Sequence, residues 1–227
     1  VPPAHGARGR AWEQSLTDSS AIPPGHRSGF VALVGQPNAG KSTLLNRILG
    51  QKVAIVSEKP QTPRTRILGI KTTADAQMLL VDTPGIHDAR DTLNKRMVAI
   101  AEQALLGADV VLWIVDAARS GDILDAAILR LVTSAPGRCC VALNKVDIVE
   151  KPALLPMIAR VAAALPNSDV VPISAASGEN VDRLMEVLRT ALPEGPRYYG
   201  EEEITDQSER TLAQEIVREK ILEQTRH

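Results

Sequence analysis

Residues Gly35–Thr43 read GQPNAGKST and follow directly on the apolar run Phe30-Val31-Ala32-Leu33-Val34. Gly35, Gly40, Lys41 and Ser42 meet the spacing G-x-x-x-x-G-K-[ST], with Gln36, Pro37, Asn38 and Ala39 between them and Thr43 closing the stretch. The apolar run predicts a buried strand before this loop. Leu44-Leu45-x-x-Ile48-Leu49, closed by Gly50, predicts an amphipathic helix after it. Without a Cβ at Gly35 and Gly40 the backbone can turn its N–H groups toward anionic oxygens, and the positive end of the helix adds to them. Lys41 then reaches β- and γ-phosphates, and Ser42 offers its hydroxyl to Mg²⁺. A glycine turn with a surface lysine is the alternative, and the strand-loop-helix context weighs against it.

A phosphate loop alone does not choose between ATP and GTP. Asp82-Thr83-Pro84-Gly85 follows the apolar run Met78–Val81, which places a carboxylate at a strand end facing the phosphate loop. There Asp82 can hold the metal through water, and the Gly85 N–H can approach a γ-phosphate without hindrance. Asn144-Lys145-Val146-Asp147 follows Cys139–Leu143 in the same way. A carboxylate at Asp147 accepts from the N1–H and the exocyclic amine of guanine, two donors that adenine does not present there, so the discrimination is expected to be large. Ser174-Ala175-Ala176, after Val170–Ile173, offers backbone amides to the guanine carbonyl oxygen. NKVD alone reads equally as an ordinary polar loop. Four such motifs in this order, each closing an apolar strand, point to a guanine nucleotide.

GQPNAGKST, DTPGIH at 82–87, NKVD and SAASG, together with LPEGPRYY at 192–199 and ITDQSERTLAQEIVREKIL at 204–222, resemble the Era family of bacterial GTPases. The resemblance runs from Phe30 onward, and the stretch 204–222 is its most specific part. It implies an enzyme that binds GTP and GDP with Mg²⁺ and hydrolyses GTP, and a role in assembly of the 30S ribosomal subunit. It also implies 16S rRNA binding by the full-length protein through a C-terminal KH-type domain. The implied location is cytoplasmic, and a peripheral contact with the inner face of the cell membrane stays open. Lys41, Asn38 and Gly85 are the expected catalytic group. The resemblance implies that Asn38 holds a K⁺ ion near the β- and γ-phosphates, with simple stabilisation of the loop turn as the alternative. Two competing readings are a nucleotide-regulated RNA-binding module and a P-loop kinase or ATPase; Asp147 argues against the second.

Two positions depart from other GTPases. Ile86 stands after D-x-x-G, where Ras-type enzymes carry a water-orienting glutamine, and an isoleucine side chain neither donates nor accepts a hydrogen bond. In Lys59–Arg66 the expected threonine ligand for Mg²⁺ is Pro63, so Thr62 becomes the candidate ligand, Thr65 its alternative, and a merely mobile loop the third reading. His87 reads as a solvated residue rather than a catalytic base.

The net charge of −1 over 227 residues gives no sign of a broad nucleic-acid surface. Cys139 and Cys140 are adjacent on a predicted strand and point to opposite faces, so packing rather than a disulfide is expected, and no spacing suggests zinc. No apolar run approaches the roughly 20 residues of a membrane span.

Residues 1–28 read as a disordered extension, 29–192 as the GTPase domain, 193–204 as a linker and 205–227 as the start of a KH-type domain. Strands are expected near 30–34, 67–72, 76–81, 110–115, 139–143 and 170–173. Helices are expected near 42–49, 91–106, 122–132, 152–164 and 180–191. Short apolar strands alternating with helices predict an α/β domain: a mostly parallel sheet covered on both faces, with ligands beyond the strands' carboxyl ends. A further helix, capped by Asp206, places Leu212, Ala213, Ile216, Val217 and Ile221 on one apolar stripe. The chain begins at Val1 and stops at His227, before the Gly-x-x-Gly loop that the resemblance implies, so it is expected to be incomplete at both ends.

Overall fold

A computed structural model describes residues 24–54, 67–85, 92–119 and 123–208, and beyond these Arg210, Thr211, Ala213, Gln214, Val217 and Lys220. The strands are β1 (Arg27–Gly35), β2 (Ile67–Thr72), β3 (Ala76–Asp82), β4 (Val110–Asp116), β5 (Arg138–Asn144) and β6 (Asp169–Pro172). They form one six-stranded sheet in the order β2-β3-β1-β4-β5-β6, in which β2 pairs antiparallel with β3 and every other pair is parallel. The helices are α1 (Lys41–Leu49), α2 (Thr92–Leu106), α3 (Ala126–Ser134), α4 (Lys151–Ala164) and α5 (Val181–Ala191).

Alternation along the strands sorts the side chains onto two faces. Val31, Leu33, Leu112 and Ile114 pack with Leu44 and Leu45 of α1 and Leu184 and Leu188 of α5. Ala32, Val34, Val111 and Trp113 point the other way, toward Ala101 of α2, Ile128 of α3 and Val161 of α4. Helices on both faces explain why β1, β3 and β4 read as unbroken apolar runs. Fully burying each Leu or Ile contributes about 1.5–3 kcal/mol.

Two element starts differ from the sequence reading by more than one residue. α3 begins at Ala126 because the Asp125 carboxylate accepts from the amides of Ala127 and Ile128 at 2.9 and 3.2 Å, a side-chain cap that fixes the first turn. β1 begins at Arg27, three residues earlier than expected, because distant residues complete its pairing. Ser28 N–H donates to Pro193 O (3.1 Å), Gly195 N–H to His26 O (3.0 Å) and Ser28 Oγ to Pro196 O (2.6 Å). The Arg27 guanidinium donates to the Leu192 carbonyl at the end of α5.

The stretch 193–205 thus lies against the sheet. Gln77, fully buried in β3, accepts from Tyr198 and Tyr199 N–H at 2.7 and 3.0 Å and donates to Tyr199 O at 2.8 Å. Tyr199 joins Phe30 against a small cluster of Leu68, Ile70, Leu79 and Val81. Ile70 N–H donates to Ile204 O (2.8 Å), and Gly69 bridges to Thr205, so this stretch covers the free edge of β2. Of the expected terminal stripe, Ala213 and Val217 are exposed, because no described element packs over them; Leu212, Ile216 and Ile221 lie outside the residues whose side chains are described. Both cysteines are free, and burial pushes the Cys139 and Cys140 thiols up to about 12 and about 11. No described helix is long and apolar enough to cross a membrane.

Candidate nucleotide site

The phosphate loop leaves β1 at Gly35, where a Cβ would collide with the Ile114 carbonyl of β4, so glycine is the residue that lets the loop pass the neighbouring strand. Asn38 takes a left-handed conformation (φ 62°) and Gly40 follows (φ 100°), which aims the loop back into α1. Lys41 is 7% exposed, and its Nζ donates to Gln36 O at 2.9 Å and Gly35 O at 3.1 Å, inside the curve of the loop. Ser42 Oγ donates to Asp82 Oδ2 at 2.9 Å. Asp82 Oδ1 is buried and has no hydrogen-bond partner among the described residues.

This arrangement is electrostatically unfinished. Burial pushes the Lys41 ammonium below its ordinary value, with Asp82 opposing; burial pushes the Asp82 carboxyl above its ordinary value, with Lys41 and the Ser42 hydroxyl opposing. A buried ammonium whose described hydrogen-bond partners are carbonyls suits an incoming phosphate. A hydroxyl beside an orphaned carboxylate oxygen is a hard-oxygen donor set that suits Mg²⁺. Gly85 closes the site from β3, where a Cβ would stand 2.8 Å from the Pro37 backbone. Thr83 Oγ1 donates to Leu33 O at 2.7 Å and so anchors the start of that segment.

The expected base-reading residues converge beyond β5 and β6. Asn144, 2% exposed, donates to Ala39 O at 2.8 Å and accepts from Ala175 N–H at 2.9 Å, joining the phosphate loop to the 174–176 loop. Lys145, in a left-handed conformation (φ 69°), pairs with Asp116 at 2.6 Å, and Asp147 stands exposed in the following short 3₁₀ turn Val146–Ile148. Ser174 N–H donates to Glu179 O and Ala175 N–H to Asn144, so these two amides are already committed. Of the three amides expected to meet the base, Ala176 N–H is the one that no described residue engages.

Three participants, Asp116, Asp125 and Arg47, escaped the sequence reading. Asp116 closes β4 as Asp82 closes β3, and that placement was the available signal. Gln36 Nε2 donates to Asp125 Oδ2 at 2.6 Å, tying the phosphate loop to the start of α3. Arg47, in the last turn of α1, donates through Nε to Ala175 O at 3.2 Å and through a terminal nitrogen to Ala176 O; nothing in the sequence singles it out. Ile86, His87, Thr62, Pro63 and Thr65 lie outside the described residues.

Residues 30–145 match the family model described as "50S ribosome-binding GTPase". The GTPase Era of Geobacter metallireducens is 48% identical over 200 residues, which is 88% of this chain and 67% of that protein. A crystal structure of Era in complex with MgGDPNP and nucleotides 1506–1542 of 16S ribosomal RNA superimposes with a TM-score of 0.82 at 42% identity, covering 89% of this chain and 69% of that one. An Aquifex aeolicus Era variant bound to GDP and AlF₄⁻ gives the same TM-score and identity over 88% of this chain and 69% of that one. With 48% identity to a curated Era over 88% of its length, and with its phosphate loop, the Asp82 carboxylate and the 144–147 and 174–176 loops drawn together at one end of the sheet, the chain belongs to the Era family of GTPases.

Proposed function

We propose that this chain binds GTP and GDP at the cleft between the phosphate loop and the 144–147 and 174–176 loops, and acts as the nucleotide switch of a factor for 30S subunit assembly. One observation carries the nucleotide assignment: among the described residues the buried Lys41 ammonium hydrogen-bonds to two loop carbonyls, beside an Asp82 oxygen that no described residue engages. The Gly35–Thr43 amides and Lys41 cradle the phosphates, while Ser42 and Asp82 hold Mg²⁺, with Thr62 as a further ligand. The bound metal neutralises charge on the β- and γ-phosphate oxygens. Asp147 accepts from the guanine N1–H and amine, and Ala176 N–H donates to the 6-oxygen. Gly85 N–H reaches the γ-phosphate, and Asn38 holds a K⁺ ion beside it.

The ribosomal role rests on the relative crystallised with a 16S rRNA fragment. The net charge of −1 supports weak RNA binding by residues 1–227 themselves, since little counterion release is available. A cytoplasmic location fits this role, with any membrane contact peripheral.

Calorimetric titration with GDP, GTP and ATP in the presence of Mg²⁺ tests the assignment. Guanine nucleotides are expected to bind far more tightly than ATP, and Asp147→Asn to shift preference to xanthine nucleotides, whose 2-carbonyl needs a donor. Equal affinity of the parent for ATP and GTP overturns the reading.

A further inference from the structure

Arg47 lies in the last turn of α1, where a cation ordinarily complements the helix's own carbonyl end. Its guanidinium instead spans to the loop after β6 and donates to two consecutive carbonyls, Ala175 O and Ala176 O. The fork geometry of a guanidinium makes this a two-point clamp rather than a point charge. A Cβ added at Gly178 would stand 3.8 Å from an Arg47 terminal nitrogen, so the side chain lies over the whole turn 175–178. The peptide unit that joins Ala175 to Ala176 carries the Ala175 carbonyl on one side and the Ala176 N–H on the other. Holding that carbonyl fixes where the N–H points.

We infer that Arg47 is a specificity-determining positioning residue: by clamping the Ala175 and Ala176 carbonyls it sets the direction of the Ala176 N–H toward the 6-oxygen of the bound purine. The inference rests on the proposed placement of the guanine base against that amide. α1 begins at Lys41 and ends beside Arg47, so one rigid element connects the phosphate end of the cleft with the base end. Asn144 makes a second connection from the phosphate loop, but it reaches the Ala175 amide and leaves the carbonyl side of the turn to Arg47. The Ala175 peptide groups are therefore held from both sides, and Arg47 supplies the hold that is solvent-exposed and separable by mutation.

The test uses GDP, 6-thio-GDP and IDP on the parent chain, Arg47→Ala and Arg47→Lys. 6-Thio-GDP keeps the N1–H and 2-amine but replaces the 6-oxygen by a larger, weaker acceptor; IDP lacks only the 2-amine that Asp147 reads. For Arg47→Ala, GDP release is expected about fivefold faster, within the net range of a typical intramolecular hydrogen bond. The affinity ratio of GDP to 6-thio-GDP is expected to fall by a similar factor, because a loosened amide can make room for sulfur, while the ratio of GDP to IDP stays unchanged. Arg47→Lys, which supplies a point charge without the fork, is expected to fall between parent and alanine. Equal changes in both ratios, or none in either, overturn the inference. A parent that binds 6-thio-GDP as tightly as GDP overturns the placement of the base against Ala176 itself, a different result from the first two.

Discussion

Replacing Gln77 by leucine isolates what holds the stretch 193–205 to the sheet. The side chain makes four hydrogen bonds: from Tyr198 and Tyr199 N–H, to Tyr199 O, and to Thr72 Oγ1 at 3.0 Å. At about 1 kcal/mol net for each, their loss sets an upper bound of about 4 kcal/mol. Two effects reduce it. Leucine recovers apolar burial at a site with no exposure, and Tyr198, 54% exposed, lies where water can reach its amide once the stretch lifts. A loss of about 2 kcal/mol, or a Tm lower by about 4–8 °C for a chain of this size, is the expected result. Hydrogen exchange read peptide by peptide locates the damage. Protection of the Tyr198 and Tyr199 amides is expected to vanish while β4 and β5 keep theirs. Retained protection at those two amides, with Tm within a degree of the parent, would falsify the view that Gln77 is the clasp.

Lys41→Ala removes the buried cation and is expected to abolish Mg²⁺-dependent GTP binding and turnover with the fold intact by circular dichroism; parental turnover would refute the role of the loop. Asp82 has its folded carboxyl value raised above the unfolded 3.8, so the folded protein holds the proton more readily and loses stability as pH climbs through the folded value. Asp82→Asn is therefore expected to raise the Tm of the nucleotide-free protein at pH 7, with the gain shrinking toward pH 4, while weakening the Mg²⁺-dependent stabilisation by GDP. A lower Tm at neutral pH would contradict the assigned cost of that carboxylate. Hydrolysis is expected to run faster in K⁺ than in Na⁺, with the difference lost in Asn38→Ala; identical rates in the two salts would confine Asn38 to shaping its turn.

The parts of the site that sequence revealed share one property: each is a polar motif closing an unbroken apolar strand. Parallel strands buried on both faces leave that signature, and their carboxyl ends are where ligands collect, so Gly35–Ser42, Asp82–Gly85 and Asn144–Asp147 could be placed before any coordinates. What escaped was set by contacts between residues far apart in the chain. Asp125 cuts α3 four residues short of its expected start, because a cap is a local geometry that apolar periodicity does not register. Gln77 sits among apolar neighbours in β3 with nothing to mark a partner more than a hundred residues away. The 174–176 loop shows the same limit: sequence offers three amides, and only folded pairings reveal that Ser174 and Ala175 have spent theirs.

β1 is finished by a distant stretch, since His26 and Ser28 bond to Gly195 and Pro196 across sequence separations of 169 and 168 residues. During synthesis β1 emerges before its partner, and its first residues wait for a stretch that lies 168 residues further along the chain. At about 5–20 residues per second, ribosomal elongation imposes a delay of roughly ten to thirty seconds before that closure can form. Over that interval the nascent protein carries an unsealed strand start and an uncovered β2 edge, and it is then most open to wrong pairing with a neighbouring chain.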